Sequence, residues 1–167
     1  MRLDADPAAV APYLRADWHE EDAVVSPDGR WLLYVSSQGD EHAAFVRSFP
    51  EPGPEVRISG GAGSDPVWAP DGRAVYYRGL NNFMRRNVRL GETVELGEET
   101  TLFSLAGTTW NTRMRMLDIH PDGDRFLFVT AGEAVEAELT SPTYEGIGPF
   151  VVVVNWFEEL CERMGGC

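Results

Sequence analysis

Short stretches rich in branched and aromatic residues alternate with polar turns along most of this chain. The first group of stretches reads EDAVV, RWLLYV, AAFVRSF and EVRIS, and the second reads DPVW, AVYYR, FMRRNVRL and TTLFSL. Branched and aromatic side chains favour strands, and short runs bounded by turn residues are typical of antiparallel sheets. The pattern therefore predicts four strands in each group.

A Pro-Asp-Gly triplet separates the first two strands of each group, and it occurs three times, as SPDG, APDG and HPDG. Proline presets φ, aspartate bonds to nearby backbone and glycine accepts a positive φ, so each triplet predicts a tight hairpin corner. The first position is Ser26, Ala69 or His120, which indicates that the motif encodes backbone shape and not a catalytic serine. The predicted structural turns are Pro27, Asp28, Gly29, Pro70, Asp71, Gly72, Pro121, Asp122 and Gly123.

The spacing of the corners predicts a repeat architecture, because Asp28, Asp71 and Asp122 are 43 and 51 residues apart. A unit of four short antiparallel strands that recurs at such an interval is typical of a β-propeller blade, which buries its faces against neighbouring blades. We therefore predict an all-β fold, a partial propeller of three four-stranded antiparallel blades. Blade one spans 20–59, blade two spans 64–105 and blade three spans 114–156.

Three segments depart from the blade pattern. Residues 131–148 are low in bulky apolar side chains and carry four Glu, which predicts a solvated loop inside blade three, before PFVVVVNW resumes as a buried strand. Residues 157–167 predict a short C-terminal helix and tail, since Trp156, Leu160 and Met164 recur at spacing four. In the N-terminal segment 1–19, the tripeptide YLR could be the outer strand of a preceding blade.

The SPDGRW corner, the DPVWAPDGR segment and the terminal VVVVNWFEEL resemble the WD40-like repeat of TolB-type β-propellers. More narrowly, they resemble the C-terminal end of the propeller found downstream of some bacterial serine/threonine protein kinases, over roughly residues 12–160. The resemblance implies a propeller, commonly of six blades, used as a binding or scaffolding surface without catalysis. Three blades do not close such a ring, so either a longer protein supplies the missing blades or two copies form a homodimeric ring.

Composition narrows the choice of partner and compartment. Acidic residues outnumber basic ones 27 to 14, and a net charge of −13 repels phosphates, so we expect no nucleic-acid partner.

The run Phe150 to Val154 is far shorter than the roughly 20 residues of a membrane span. With no signal peptide recognisable, we expect a cytoplasmic chain as written, or a periplasmic or extracellular one if it was cut from a membrane-anchored parent. Cys161 and Cys167 both lie near the C-terminus, so no disulfide framework is expected for the body of the fold, and free thiols on a tail are the simplest interpretation.

Motifs for catalysis, metals and cofactors are missing from the sequence. It has no G-x-S-x-G elbow, and HEED at 19–22 lacks the second histidine of a zincin helix. The Asp-Gly corners lack the alternating ligands of a calcium loop, and SGGAGS at 59–64 lacks the Lys-Ser/Thr end of a phosphate loop. We therefore predict no catalytic residue, no metal and no cofactor.

Links between blades and tips of middle hairpins open on one side of a propeller, where partners often dock. The candidate ligand-face residues are Trp18, Gln38, Gly61, Asn81, Asn82, Trp110, Asn111 and Arg113. The expected function is a non-catalytic protein-interaction or sensory module that binds a protein partner or the remaining blades. The alternative is an accessory propeller piece of a prolyl oligopeptidase-like hydrolase or a kinase, which positions substrate for a catalytic domain elsewhere.

Overall fold

The computed structural model describes residues 12–39, 41–106, 115–128 and 151–152, and within them the chain forms strands and turns without a helix. The all-β fold predicted from the sequence is confirmed for this part of the chain. The strands are β1 (Glu20–Val25), β2 (Trp31–Ser36), β3 (Ala43–Ser48), β4 (Val56–Arg57), β5 (Ser64–Trp68), β6 (Ala74–Arg78), β7 (Asn82–Leu90), β8 (Val94–Ser104), β9 (Leu117–Ile119), β10 (Phe126–Phe128) and β11 (Val151–Val152).

These strands form three sheets in chain order. The first sheet has the order β1-β2-β3-β4, the second β5-β6-β7-β8 and the third β11-β10-β9. In the first two sheets every neighbouring pair is antiparallel, as predicted for a blade. No sheet closes on itself within the residues that the structure describes.

All three Pro-Asp-Gly triplets lie in tight turns between the first two strands of a sheet. The glycine has a positive φ in each copy, between 70° and 77°, a region that other residues enter only at a cost. In the first corner the Gly29 N–H donates to the Ser26 carbonyl at 2.9 Å, and the Asp28 carboxylate accepts the Ser26 hydroxyl at 2.6 Å. The corner is thus held by its own backbone and side chains.

The second sheet is packed on both faces. Towards the first sheet, Trp68, Val75 and Tyr77 form one buried cluster with first-sheet residues such as Leu33 and Val46. Towards the third sheet the buried cluster contains Val67, Tyr76, Phe83, Leu102, Leu117, Phe126 and Phe128. The sheets therefore stack face to face, and β5 contacts β1 and β2 on one side and β9 on the other.

An aspartate bulge recurs in the first strand of the first two sheets. Asp22 and Asp65 have φ values of 54° and 51°, and each lies where the strand register shifts. The Asp65 carboxylate accepts the Met116 N–H at 3.0 Å and pairs with Arg78 at 2.9 Å. Burial raises the pKa of Asp22, and the backbone N–H of Asp65, which faces that carboxylate, acts in the opposite direction. The Asp65 carboxylate is therefore bonded to the equivalent backbone position of the third sheet, and Asp22 occupies the same bulge position in the first sheet.

The third sheet corrects the prediction of a four-stranded antiparallel blade. It has three strands in the described residues, and β11 runs parallel to β10. A parallel pair needs a long crossover, and residues 129–150 between these strands are long enough to supply one. The predicted loop 131–148, most of the strand 149–156 and the helix 157–167 lie outside the described residues, as do Cys161 and Cys167.

The tripeptide YLR of the N-terminal segment, whose role as the outer strand of a preceding blade stays a prediction, lies outside the three sheets. Residues 12–19 contain no strand. Instead the Tyr13 hydroxyl donates to the Ser48 carbonyl, its ring lies 5.6 Å from that of Phe49, and Leu14 packs against Tyr34 and Phe45. None of the described strands pairs with this segment, which lies against the outward face of the first sheet.

Candidate binding surface on the first sheet

The outward face of the first sheet, turned away from the second sheet, combines a small apolar cluster with polar side chains. Tyr34, Ala43 and Phe45 are buried there, with Leu14 of the N-terminal segment packed over them. A pocket of about 360 Å³ lies between that segment and the sheet. Its described lining is Leu14, Arg15, Ala16, Asp17, Trp18, Glu20, Gln38, Arg47 and Glu55.

Arg47 and Glu55 line the sheet side of this pocket, and with the buried Tyr34 behind them they form a cluster of three side chains. The Tyr34 hydroxyl and the Gln38 amide donate to the two carboxylate oxygens of Glu55. The Arg47 Nε lies 3.5 Å from the oxygen that Tyr34 uses, which is an ion-pair distance, but this buried Nε has no hydrogen-bond partner. Burial and the bond to Glu55 raise the pKa of Tyr34 far above its usual value, so the phenol stays protonated and donates.

Glu20 brings a second carboxylate to the same face. Its Oε1 accepts the Ser36 hydroxyl at 3.0 Å, whereas its Oε2 is buried without a hydrogen-bond partner. Burial raises the pKa of Glu20 more than the Ser36 bond lowers it, and the negative charge of Glu55 raises it further. The ionised form of this residue is therefore disfavoured in the folded chain.

The second sheet contains the same cluster, formed by Tyr77, Arg86 and Glu99. The Tyr77 hydroxyl donates to Glu99, and the Arg86 guanidinium lies 3.0 Å from the same carboxylate oxygen. The strand register makes the two clusters equivalent, because Arg86 pairs with Val75 as Arg47 pairs with Leu32, and the tyrosine follows two residues later. We call these the outward cluster (Tyr34, Arg47, Glu55) and the inner cluster (Tyr77, Arg86, Glu99).

The inner cluster holds the first sheet against the second. The Arg86 Nε donates to the Ile58 carbonyl at 3.0 Å, and the Gly60 N–H donates to the Glu99 carboxylate at 2.9 Å. Burial alone would raise the pKa of Glu99, but the bonds from Tyr77, Gly60 and Arg86 together lower it. A Cβ on Gly60 would lie 2.5 Å from Glu99 Oε2, so a glycine fits this contact without displacing the carboxylate.

Two of the residues predicted for a ligand face meet in the outward pocket, namely Trp18, which is 48% exposed, and Gln38. Gly61, Asn81 and Asn82 lie at the same ends of the strands, opposite the corners, but they do not line this pocket. The Asn81 carbonyl accepts the Leu105 N–H at 2.7 Å and the Gly61 carbonyl accepts the Arg57 guanidinium at 3.1 Å, so both have local structural partners. Trp110, Asn111 and Arg113 lie outside the described residues.

Two other features can be assigned to the corners. His120, Asp122 and Asp124 bring their ligand-type atoms within 4.8 Å of one another, and Arg125 lies 3.2 Å from Asp122, so the group forms a salt-bridged turn. A cleft of about 780 Å³ lies between the first two corners, with Pro27, Asp28, Gly72, Arg73 and Leu90 among its lining residues. Its four charged lining residues, Asp28, Asp71, Arg73 and Arg89, are all exposed to solvent.

No protein-family model matches this sequence, and a search of curated proteins finds no significant relative. Among the residues that the structure describes, there is no helix with the length and apolar character of a membrane span.

Proposed function

We propose that this chain is a non-catalytic binding or scaffolding module of the β-propeller type, part of a larger TolB-like assembly. Its sheets are the blades, and its partner docks at the outward face of the first sheet. Two features of the described residues support this proposal: the face-to-face stacking of the sheets and the recurrence of the same corner and the same bulge.

One observation carries the proposal. The same Tyr-Arg-Glu cluster occurs twice in equivalent registers, and the inner copy bonds to the backbone of a neighbouring sheet. The outward copy faces a pocket with the half-exposed Trp18, and its arginine Nε is buried without a hydrogen-bond partner. A buried polar group of this kind is stabilised when a partner satisfies it.

The chemistry of the pocket supports binding more than catalysis. Its described lining has no serine, threonine, cysteine or histidine. Glu55 is bonded to Tyr34 and Gln38 and paired with Arg47, so it is not placed as a free general base. Protein interfaces are enriched in aromatic and arginine side chains, and the lining of this pocket includes Trp18, Arg15 and Arg47.

Photo-crosslinking in the source cells tests this function. We would replace Trp18 with benzoylphenylalanine and, as a control, place the same residue at Glu92, which is exposed in the β7–β8 turn. We expect one discrete protein adduct at position 18 and none at position 92. Equal adducts at both positions, or none at 18, would contradict the proposal. An adduct with a hydrolase or kinase catalytic domain would instead favour the accessory role.

A further inference from the structure

The contact between the first two sheets shows what a Tyr-Arg-Glu cluster binds. The inner cluster takes the backbone just beyond β4, with the Arg86 Nε on the Ile58 carbonyl and the Glu99 carboxylate on the Gly60 N–H. The ligand is thus one carbonyl and one N–H, two residues apart, at the end of a fourth strand. Neither group depends on a particular side chain except that Gly60 leaves room for the carboxylate.

The outward cluster has the same donors and acceptors without that ligand. Tyr34 and Arg47 share one oxygen of Glu55, as Tyr77 and Arg86 share one oxygen of Glu99. Among the described residues no backbone N–H donates to this oxygen of Glu55, and the Arg47 Nε donates to nothing. In the outward copy the counterparts of the two atoms that hold Ile58 and Gly60 have no backbone ligand among the described residues, although Arg47 faces Glu55 with its Nε, at 3.5 Å, where Arg86 faces Glu99 with a terminal nitrogen.

We infer that the outward face of the first sheet is a docking surface for one further sheet of the same repeat, held by the outward cluster. This inference rests on the proposed function and specifies its partner. The incoming sheet packs against residues 12–18, whose backbone supplies the carbonyl and N–H for the outward cluster, and its apolar face lies over the cluster of Tyr34 and Phe45, which Leu14 already buries.

Residues 12–18 do not block this surface. Counted back from the bulge aspartates, they precede β1 as residues 55–61 precede β5. They already cross the outward face, with the pocket between them and the outward cluster. Docking would seat this segment, so that the Arg15 carbonyl and the Asp17 N–H take the places of the Ile58 carbonyl and the Gly60 N–H.

The bulge residues indicate which sheet fits. The Asp65 carboxylate accepts the N–H of Met116 in the third sheet at 3.0 Å, and Asp22 holds the same bulge position in the first sheet. In the third sheet Met116 holds the equivalent position, so a second copy of this chain, docking through its third sheet, brings no carboxylate to the Asp22 N–H. The fitting partner is a repeat sheet of a different sequence that carries an aspartate in its first strand.

A tandem variant recreates this contact without knowledge of the natural partner. A second copy of residues 20–62, which includes Asp22, Ile58 and Gly60, is inserted directly before Glu20 in the full chain. In this variant we expect Arg47→Ala in the original copy to lower the melting temperature by about 2–4 °C. The same substitution in the inserted copy is the matched control, because no further sheet packs on that cluster, and we expect a shift below about 1 °C.

Equal shifts for the two substitutions would overturn the inference. So would an inserted copy whose amides exchange hydrogen as fast as an unfolded segment, since the same sequence packs on the second sheet in the native chain. Sedimentation velocity of the unmodified chain tests the other occupant. A dimer that Arg47→Ala dissociates would show that a second copy docks here, which contradicts the aspartate-bearing partner.

The tandem experiment and the crosslinking experiment fail independently. If the two Arg47→Ala substitutions shift the melting temperature of the tandem chain equally but an adduct forms at position 18, the binding function stands and the outward cluster takes no part in it. If the two substitutions shift the melting temperature differently, as expected, but no adduct forms at position 18, the docking surface is supported and the proposed function is contradicted in the cells used.

Discussion

Glu99 is the residue on which the contact between the first two sheets depends. It accepts hydrogen bonds from Tyr77 and Gly60 and pairs with Arg86. A hydrogen bond to a charged group contributes about 1.5–3 kcal/mol to stability. The partial exposure of the Glu99 carboxylate reduces that figure. We expect Glu99→Gln to lower the free energy of unfolding at pH 7 by about 1–2 kcal/mol, measured by urea denaturation.

The lowered pKa of Glu99 determines how the effect of Glu99→Gln on stability changes with pH. The pKa of Glu99 is lowered on folding from 4.5, so its contribution is present above that pH and is lost as the pH falls through the lowered value. The difference between Glu99→Gln and wild type should therefore shrink between pH 7 and pH 3. Glu95→Gln on the same strand is the control, because its pair with Arg89 is exposed, and we expect it to change stability by less than about 0.5 kcal/mol. Equal losses for both variants would contradict the assignment.

Glu20 should respond in the opposite sense, because burial raises its pKa above 4.5. Its ionised form opposes folding at neutral pH, and this cost disappears once the residue is protonated at low pH. Glu20→Gln keeps an oxygen for the Ser36 hydroxyl, and we expect it to raise stability at pH 7 by about 0.5 kcal/mol. Thermal melts at pH 7 and pH 4 measure this effect. A variant that is less stable than wild type at pH 7 would contradict the raised pKa of Glu20.

At the scale of elements, the link between β4 and β5 contains two neighbouring glycines with different surroundings. A Cβ on Gly60 would lie 2.5 Å from the Glu99 carboxylate, whereas a Cβ on Gly61 would meet nothing within 4 Å. Neither residue is among the glycines with a positive φ, so backbone strain does not separate them. We expect Gly60→Ala to cost about 1 kcal/mol in urea denaturation by displacing Glu99, and Gly61→Ala to be neutral or slightly stabilising. A loss of the same size for both would mean that the link itself, and not the inner cluster, is sensitive.

The elements differ in how far the sequence predicts them. The first two sheets follow from period-two patterning and from the Pro-Asp-Gly corners, because both signals are local. The third sheet does not, since the pairing of Val151 and Val152 with β10 depends on where a long segment returns. The segment 13–15 carries strand-forming residues but pairs with none of the described strands, and β-propensity depends on such context.

In the candidate site, too, the sequence predicts some residues and not others. Trp18 and Gln38 could be predicted because links and hairpin tips lie at one end of the strands. The two Tyr-Arg-Glu clusters could not, although each tyrosine stands at the same distance from its corner. Eight residues separate Arg47 from Glu55, whereas thirteen separate Arg86 from Glu99, because β7 and β8 form a longer hairpin. Cross-strand register, and not sequence spacing, brings the carboxylate to the arginine.

At the scale of the whole molecule, Phe83 joins the second and third sheets. It is fully buried, and its ring lies 4.9 Å from Phe126, 5.0 Å from Phe128 and 6.0 Å from Tyr76. Replacing a buried phenylalanine with alanine costs about 3–5 kcal/mol, a large part of the 5–15 kcal/mol that stabilises an ordinary domain. We expect Phe83→Ala to release the third sheet first, because β9 and β10 have only three residues each and contribute little pairing of their own.

Hydrogen exchange measures this release directly. In Phe83→Ala the amides of β9 and β10 should lose protection while those of β2 and β3 retain it, since the first sheet packs on the other face of the second. Phe45→Ala is the matched control, because Phe45 is also buried but lies in the smaller outward group with Tyr34 and Ala43. That variant should expose the first sheet and leave β9 and β10 protected. Loss of protection in all three sheets at once in either variant would mean that the stack unfolds as a single cooperative unit.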